Sequence, residues 1–513
     1  MAATGAGAVG TTSGDAAADV AAGRLTFPET LGHPRPLWML FMTEFWERFS
    51  FYGMRWALAL YIVAQFYNGD ASGEKPASNI YGAYLALVYA AGVFGGYIAD
   101  QLIGHQRSIL AGAIVMGAGL FVMMLPKMDL MLLGLALVII GNGLFKPNIS
   151  TMVGQLYSQG DNRRDAGFSL FYMGINVGGF VSPIVTGWLA GWLTDTPMQQ
   201  NYKAVFFASG IGMILCWLWF WFGRKQLQGV GQSAQTSLSP RNLGLVAGYL
   251  VVGVPVMYYL LAKLGAEALA WILGILFIGL AAMLLIEGMR EGAVARDKVI
   301  AMLIIFVFNV MFWMFFEQAG SSFNFLAQNI VDRMFGSWEF PVAWFQSVNS
   351  LAIITIAPII AGIWVWLGKR NAEPSIARKF SLGLIFNGLA FLLLMFALTY
   401  LVNAKSLIPF WTLFMVYVIQ SVGELCLSPI GLSMVTKLAP VRYVGFAMGG
   451  WFLSTANGNN LSGIFAGIVS GDTGMTTASA LSGYTFGFWA LVVAGVLLLL
   501  VAPLISKLMH GVK

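Results

Sequence analysis

Long runs of apolar residues recur along nearly the whole chain and limit what it can fold into. Each run holds about 18 residues or more, which as a helix is enough to cross the ~30 Å hydrocarbon core of a bilayer. Lipid offers no hydrogen-bond partners to the backbone, so such runs must be helices. The sequence therefore predicts an all-α protein that crosses a membrane many times.

The composition agrees with a lipid environment and argues against several classes of protein. The chain is 58% hydrophobic and 10% charged, whereas soluble domains carry about a quarter charged residues. Its two cysteines, Cys216 and Cys426, lie far apart in apolar segments, and the three histidines lie near segment ends or in tails. Neither set has the spacing of a disulfide framework or a metal site. No intramembrane nucleophile–base pair is apparent either, so we expect no cofactor, no metal and no enzymatic activity.

We predict fourteen membrane-spanning segments after a polar tail over residues 1–34. The tail is rich in Ala, Gly, Thr and Ser and has no apolar run, which predicts disorder. The stretch 224–242 is the clearest linker in the chain. The apolar segments lie near 37–66, 78–101, 106–127, 129–158, 163–192, 202–223, 243–262, 268–288, 298–331, 341–368, 379–402, 407–438, 442–470 and 482–508.

The distribution of basic residues predicts the orientation of the chain. With a cytoplasmic N-terminus, the tails and cytoplasmic loops hold 19 of the 28 Lys and Arg residues, and the opposite loops hold six. An even number of spans then leaves both termini in the cytoplasm. The net charge of +6 is therefore a topology signal, and we expect membrane lipid but no nucleic acid as a partner.

Seven charged residues lie well inside apolar segments and indicate transport. They are Glu44, Glu47, Arg48, Arg55, Lys146, Glu317 and Glu424. Each costs at least about 2.5 kcal/mol at the bilayer centre, so each should face a partner or a wet cavity. If the seventh and eighth segments are an inserted pair, the charges fall on the first and fourth segments of both halves. That equivalence is typical of secondary transporters built from two repeats around a central cavity.

This division predicts four parts of the chain. They are the disordered tail (1–34), an N-terminal six-helix bundle (35–223), a linker with two extra membrane helices (224–297) and a C-terminal six-helix bundle (298–513).

The first segment, which contains TEFWERFSFYGMR, has its polar residues on one face. The residues at helical spacing i, i+3, i+4, i+7, i+8 and i+11 are Glu44, Glu47, Arg48, Phe51, Tyr52 and Arg55. One interpretation is a neutral, structural ladder of ion pairs. The other, which we favour, is a proton-sensitive cavity wall, because a buried carboxylate can change its protonation when a nearby cation moves to another partner.

Other segments carry further candidates. Lys146 stands directly before Pro147 in GNGLFKPNIS, where proline loosens the helix, and Glu424 lies in VGELCLSPIG. The fifth segment presents Phe168, Tyr172 and Asn176 at i, i+4 and i+8. Aromatic residues such as Trp313 and Trp451 are individually more often packing residues than ligand contacts.

Several of these motifs together resemble a known family. TEFWERF, GNGLFKPN, FYMGINVG, FWMFFEQ and GELCLSPIGLS are similar to motifs of the proton-dependent oligopeptide transporters, within the major facilitator superfamily. The resemblance runs from about residue 37 to 508. It implies the superfamily fold, with two six-helix bundles and two extra helices, giving fourteen transmembrane helices. It also implies uptake of di- and tripeptides coupled to proton entry.

The resemblance assigns roles to individual residues. The proton-coupling residues would be Glu44, Glu47, Arg48 and Glu317. The peptide cavity would be lined by Arg55, Tyr52, Tyr89, Lys146, Phe168, Tyr172, Asn176, Trp313, Asn349, Glu424, Ser428 and Trp451. Two positions depart from the family pattern: Phe51 replaces the first tyrosine of a pair, and Gln101 replaces a basic residue in the loop GGYIADQLIGHQR.

A transport mechanism follows as an expectation. Glu424 would bind the amine of a zwitterionic peptide, and Arg55 with Lys146 would bind its carboxylate. Glu47 would hold Lys146 or Arg48 until protonated, and Glu317 would pair with Arg55 near an outer gate. We expect a bacterial inner-membrane protein that functions as a monomer.

Two other transport functions remain open from the sequence. One is a superfamily antiporter that exports a drug or metabolite. The other is a carrier of nitrate or another anion, for which the acid at Glu424 would be unnecessary.

Overall fold

The computed structural model describes residues 16–193, 200–232 and 236–512, and these ranges are dominated by helices. Sixteen α-helices are present in this part of the chain, of which all but the first and the eleventh have 18 residues or more. In chain order they are α1 (Ala16–Ala21), α2 (Arg35–Phe66), α3 (Glu74–Ile98), α4 (His105–Val122), α5 (Met128–Gly154), α6 (Arg164–Trp192), α7 (Tyr202–Gly223), α8 (Pro240–Tyr259), α9 (Gly265–Glu291), α10 (Ala293–Phe316), α11 (Ser322–Asn329), α12 (Trp344–Lys369), α13 (Ile376–Tyr400), α14 (Phe410–Leu438), α15 (Val444–Ser470) and α16 (Thr477–Leu508).

Within the described ranges, strands form three two-residue pairings outside the long helices. β1 (Glu29–Thr30) and β2 (His33–Pro34) pair antiparallel, as do β4 (Met334–Phe335) and β5 (Trp338–Glu339). β3 (Val331–Asp332) pairs parallel with β6 (Ile408–Pro409).

The long helices are suited to a membrane. Among the described residues, eleven stretches are long and apolar enough to cross a bilayer, and one of them, Pro240–Glu291, contains both α8 and α9. The long helices α2 and α15 are more polar, because α2 carries the charged face and α15 carries three asparagines. The chain is thus a multi-pass α-helical membrane protein, and the count of fourteen crossings stays a prediction.

Helix packing forms two groups joined by a helical pair. In one group α2 packs on α6 and α7, and α5 packs on α3 and α4; in the other, α13 packs on α14 and α16, and α10 packs on α15. Of the extra pair, α8 packs on α5 of the first group and α9 packs on α10 and α15 of the second. We call these groups the N-half (α2–α7) and the C-half (α10–α16).

The two halves meet closely at one end of the bundle. Gly82 of α3 lies against Gly463 of α15, where a Cβ on residue 82 would be 2.6 Å from the Cα of Gly463. Small residues of this kind let membrane helices approach backbone to backbone. Between α6 and α12, Ser347 donates a hydrogen bond to the carbonyl of Phe180 at 2.7 Å. The ends of α3, α6, α12 and α15 near these contacts therefore form a closed gate.

At the opposite end the halves separate. The first part of α12 includes seven buried residues, but from Ile354 to Lys369 every residue is at least partly exposed. Tyr172 of α6 is 38% exposed although it interacts electrostatically with Glu424 and Tyr52 in the interior. The bundle therefore encloses a cavity that opens at this end.

The predicted ninth segment, 298–331, is divided in the structure. α10 ends at Phe316, Glu317 leaves the helical conformation (φ −78°, ψ 36°), and α11 begins five residues later. The turn fits because Gly320 faces the ring of Tyr81, where a Cβ would lie 2.2 Å from the hydroxyl oxygen. Non-helical backbone at membrane depth is tolerated where protein buries it, and this turn carries Glu317 at the end of α10.

The N-terminal region differs from the predicted disordered tail over residues 16–34. It forms α1 and the β1–β2 pair, and the side chain of Val20 is buried. Arg163, in the loop before α6, forms an ion pair with Glu29 at 2.6 Å. These local contacts hold the segment without a long apolar run, which is why composition did not reveal it. Residues 1–15 lie outside the described residues.

Candidate transport site

The charged face of α2 meets α5 in an antiparallel register. Arg48 donates from Nε and Nη2 to both carboxylate oxygens of Glu47, and the Nη2–Oε1 distance is 2.5 Å. Asn142 of α5 donates to the same Oε1 at 3.1 Å. Glu47 is fully buried and Arg48 is 6% exposed, so this pair is shielded from water. Three N–H donors thus converge on one carboxylate.

One turn away, Glu44 has a different environment. Lys146 donates from Nζ to Oε1 of Glu44 at 2.8 Å, and the Nε of Arg48 lies 3.6 Å from the same oxygen. The other oxygen, Oε2, is buried and meets no donor among the described residues. The Lys146 side chain is 35% exposed, so it is the member of the cluster with access to the cavity. Glu47 was expected to hold Lys146 or Arg48; the structure pairs Glu47 with Arg48 and pairs Lys146 with Glu44.

A second charged pair links the two halves. Nη2 of Arg55 on α2 donates to Oε2 of Glu317 at the end of α10, and both side chains are only 10% exposed. The Nε of Arg55 also donates to the hydroxyl of Tyr81 at 2.7 Å, and its Cζ lies 5.5 Å from the ring centroid of Tyr52. Glu317 and Arg55 are thus together, as the sequence suggested, and they join the halves beneath the closed gate.

Glu424 lies on α14 in the C-half and differs from the other buried acids. Asn349 of α12 donates to its Oε2 at 3.1 Å and to the hydroxyl of Ser421 at 2.9 Å. Within the described chain, no Lys or Arg forms an ion pair with Glu424. Ser428, one turn further along α14, has a buried hydroxyl that meets no partner in the same part of the structure. Glu424 is therefore available to an added cation.

The aromatic candidates divide into two sets. Tyr172 and Tyr89 lie near Tyr52, and Asn176 is buried one turn from Tyr172. The indole of Trp313 donates to Asn309 at 3.1 Å, which fixes its ring on the inner face of α10. These side chains share the space between the charged groups.

Phe168 and Trp451 form a second set, with contacts to Arg164 and to other aromatic rings. Phe168 contacts Arg164, with 5.9 Å from its ring centroid to the guanidinium carbon, near the end of α5. Trp451 is 6% exposed and packs edge-on against Phe306 and Phe380. Their contacts are typical of helix packing around the open end of the cavity.

Sequence reasoning missed two polar residues of the site. Asn142 lies four residues before Lys146, so one face of α5 presents both to the acids of α2. Tyr81 lies two turns before Tyr89 on α3 and binds Arg55. The helical spacing in each case was a usable signal, because Asn142 is four residues from Lys146 and Tyr81 is eight residues from Tyr89.

The family follows from comparison with known proteins. The sequence model of the POT family matches residues 106–480. The chain belongs to the POT family. The predicted resemblance is confirmed. The match to solved POT structures confirms the superfamily-type fold. The family is one of membrane transporters and not of enzymes.

Named relatives extend over almost the full chain. The peptide transporter YePEPT of Yersinia enterocolitica is 35% identical over 94% of this chain and 96% of its own length. A dipeptide and tripeptide permease B of Aliivibrio fischeri is 30% identical over 93% and 96%. A crystal structure of a mutant peptide transporter POT in complex with alafosfalin aligns with a TM-score of 0.83 at 36% identity, covering 96% of this chain and 99% of that one.

Proposed function

We propose that this chain imports di- and tripeptides together with protons, by alternating access across a bacterial inner membrane. The observation that carries the proposal is the arrangement of fixed charges around the cavity. Glu424 of the C-half has no cationic partner among the described residues, while the N-half supplies Lys146 and Arg55. Relatives named as peptide transporters and as dipeptide and tripeptide permeases support the same substrate class.

A zwitterionic peptide matches these charges. Its amine would bind Glu424, and its carboxylate would bind Lys146, or Arg55 once that residue leaves Glu317. Because the two clamps belong to different halves, a bound peptide draws the halves together and so couples binding to closure. Tyr52, together with Tyr89, Tyr172, Asn176 and Asn349, would satisfy the peptide bond.

Proton entry would act through two carboxylates. Protonation of Glu44 removes the counter-charge of Lys146, which is then free to meet the peptide carboxylate. Protonation of Glu317 weakens the pair that joins the halves at Arg55, so the closed gate can open. Glu44 thus controls Lys146, and Glu317 controls Arg55. Each cation would bind its carboxylate in one part of the transport cycle and leave it in another.

The predicted orientation indicates which side of the membrane the open end of the cavity faces. With the N-terminus in the cytoplasm, the closed gate at Gly82 and Gly463 lies on the outer side, and the cavity opens inward. Inward proton movement supplies about 2.3 kcal/mol per charge per 100 mV, which is enough for about fiftyfold accumulation per proton. The function as a monomer remains part of the proposal.

Transport by purified protein in liposomes tests the proposal. Labelled dialanine should accumulate under an inward proton gradient and should only equilibrate without one. Unlabelled tripeptides should compete, whereas free amino acids and nitrate should not. Accumulation of dialanine under an outward proton gradient would instead support the antiporter, and competition by nitrate would support an anion carrier.

A further inference from the structure

Three consecutive residues of α5, Gly141, Asn142 and Gly143, face three different helices. Gly141 faces α4, where a Cβ would lie 2.8 Å from the carbonyl oxygen of Gly112, and Gly143 faces α3, where a Cβ would lie 2.7 Å from the carbonyl oxygen of Ala91. Asn142, between them, donates to Glu47 of α2 and is 4% exposed. Neither glycine can be replaced without moving a backbone, so α3 and α4 fix the depth and rotation of α5. The position of the Asn142 amide against Glu47 is fixed with them.

The same register places two polar residues of α5 against two acids of α2. Asn142 contacts Glu47 and Lys146 contacts Glu44, so a neutral amide meets one carboxylate and an ammonium meets the other. Glu47 receives three N–H donors across its two oxygens, whereas Glu44 keeps one oxygen that meets no donor in the described residues. The two acids are three residues apart and equally buried, yet only Glu44 has an open site for a proton.

We propose that Asn142 is a positioning residue for proton coupling: it holds Glu47 in the ion pair with Arg48, so that the proton in this half goes to Glu44. This inference rests on the proposed proton-coupled transport. The choice of acid matters because the two acids hold different cations. A proton on Glu44 frees Lys146 for the substrate, whereas a proton on Glu47 frees Arg48 and leaves Lys146 bound.

Other groups near the two acids do not take over this role. Among the described residues, the charged and titratable groups that interact with Glu44 or Glu47 are Arg48 of α2, Tyr84 of α3, Lys146 of α5 and Cys216 of α7. The thiol of Cys216 donates to the carbonyl of Thr43, and the hydroxyl of Tyr84 meets no partner among the described residues. Of the neutral side chains in the described part of the chain, Asn142 is the one that donates a hydrogen bond to either carboxylate.

The variant Asn142→Leu removes the amide and keeps the number and branching of the side-chain heavy atoms. With one donor lost, Arg48 can move the short distance to Glu44, which lies 3.6 Å from its Nε, and the acids then compete for the proton. In some transport cycles the proton would then bind Glu47, Lys146 would stay bound to Glu44, and no peptide would be transported. In liposomes with a trapped pH-sensitive dye, we expect the ratio of dialanine to protons entering to fall at least twofold below that of the unmodified protein.

A double-mutant cycle separates positioning from general damage. In Glu47→Gln the acid that Asn142 holds is already neutral, so adding Asn142→Leu should change the dialanine-to-proton ratio no further. Asn142→Ala, which also removes the amide donor and adds no charge, should lower the ratio in the same way if Asn142→Leu does not fold. An unchanged ratio in both single variants, or an equal further fall in the Glu47→Gln background, would overturn the proposal.

The result also distinguishes this inference from the proposed function. If the unmodified protein carries dialanine and protons together while Asn142→Leu keeps the normal ratio, only the role of Asn142 is wrong. If the unmodified protein moves no protons with dialanine, the proposed function itself is wrong.

Discussion

The Arg55–Glu317 pair makes a direct prediction about the closed gate. Both side chains are 10% exposed, and they belong to different halves, so the pair stabilises the closed arrangement specifically. Breaking a buried ion pair by removing one partner costs about 3–5 kcal/mol, which is about two to four orders of magnitude in an equilibrium constant. Glu317→Gln keeps the shape and one acceptor oxygen, and Tyr81 still binds Arg55, so part of that cost is recovered. We expect the open-gate population to rise at least about tenfold.

Cysteine labelling measures this shift at Ser347. Its side chain is 3% exposed and binds the carbonyl of Phe180 across the closed gate, so a cysteine there is accessible only when the gate opens. In a Ser347→Cys background, Glu317→Gln should accelerate labelling by a water-soluble maleimide at least about tenfold. The native cysteines, Cys216 and Cys426, are buried and should contribute a constant background.

A matched position provides the control. Ser381 is also buried and donates to a backbone carbonyl at 2.7 Å, but its partner, Gly495, lies within the same half. Labelling of Ser381→Cys should not respond to Glu317→Gln. Equal acceleration at both positions would indicate general loosening, and an unchanged rate at Ser347→Cys would refute the gate function of the ion pair.

Three further predictions follow from the site and the gate. Glu424→Gln should weaken binding of peptides with a free amine at least about tenfold in a competition assay, because a charged hydrogen bond is lost, while N-acetylated peptides should bind almost as before; an equal loss for both would contradict the clamp. Glu44→Gln should abolish proton-driven accumulation in liposomes and preserve part of the dialanine exchange, because Lys146 is then permanently released; retained accumulation would contradict the coupling role. Gly82→Val should prevent the approach to Gly463 and lower the uptake rate at least about tenfold in protein that still elutes as a single species; normal uptake would show that the gate does not need this contact.

The helices were predictable because their signal is local. An apolar run of sufficient length specifies a membrane helix without reference to its neighbours, and most predicted segments agree with the long helices within a few residues. The break after Glu317 was not predictable in the same way, because it depends on Gly320 meeting Tyr81 of the other half. The order in residues 16–34 likewise depends on distant contacts, such as that between Glu29 and Arg163.

The candidate site could be predicted as a set of residues but not as a set of pairs. The buried charges were recognisable because a charge in an apolar segment is costly. Which acid holds Lys146 depends on the register of α2 against α5, and the two glycines beside Asn142 set that register through α3 and α4. A single sequence carries no direct record of such a register.

The direction of proton movement tests the central claim most directly. Liposomes containing the purified protein and a trapped pH-sensitive dye are given an inward dialanine gradient with equal pH on both sides. Coupled import predicts that the interior becomes more acidic as dialanine enters, at a rate that falls with Glu44→Gln. Alkalinisation of the interior would instead indicate an antiporter, and dialanine entry without a pH change would contradict proton coupling through Glu44 and Glu317.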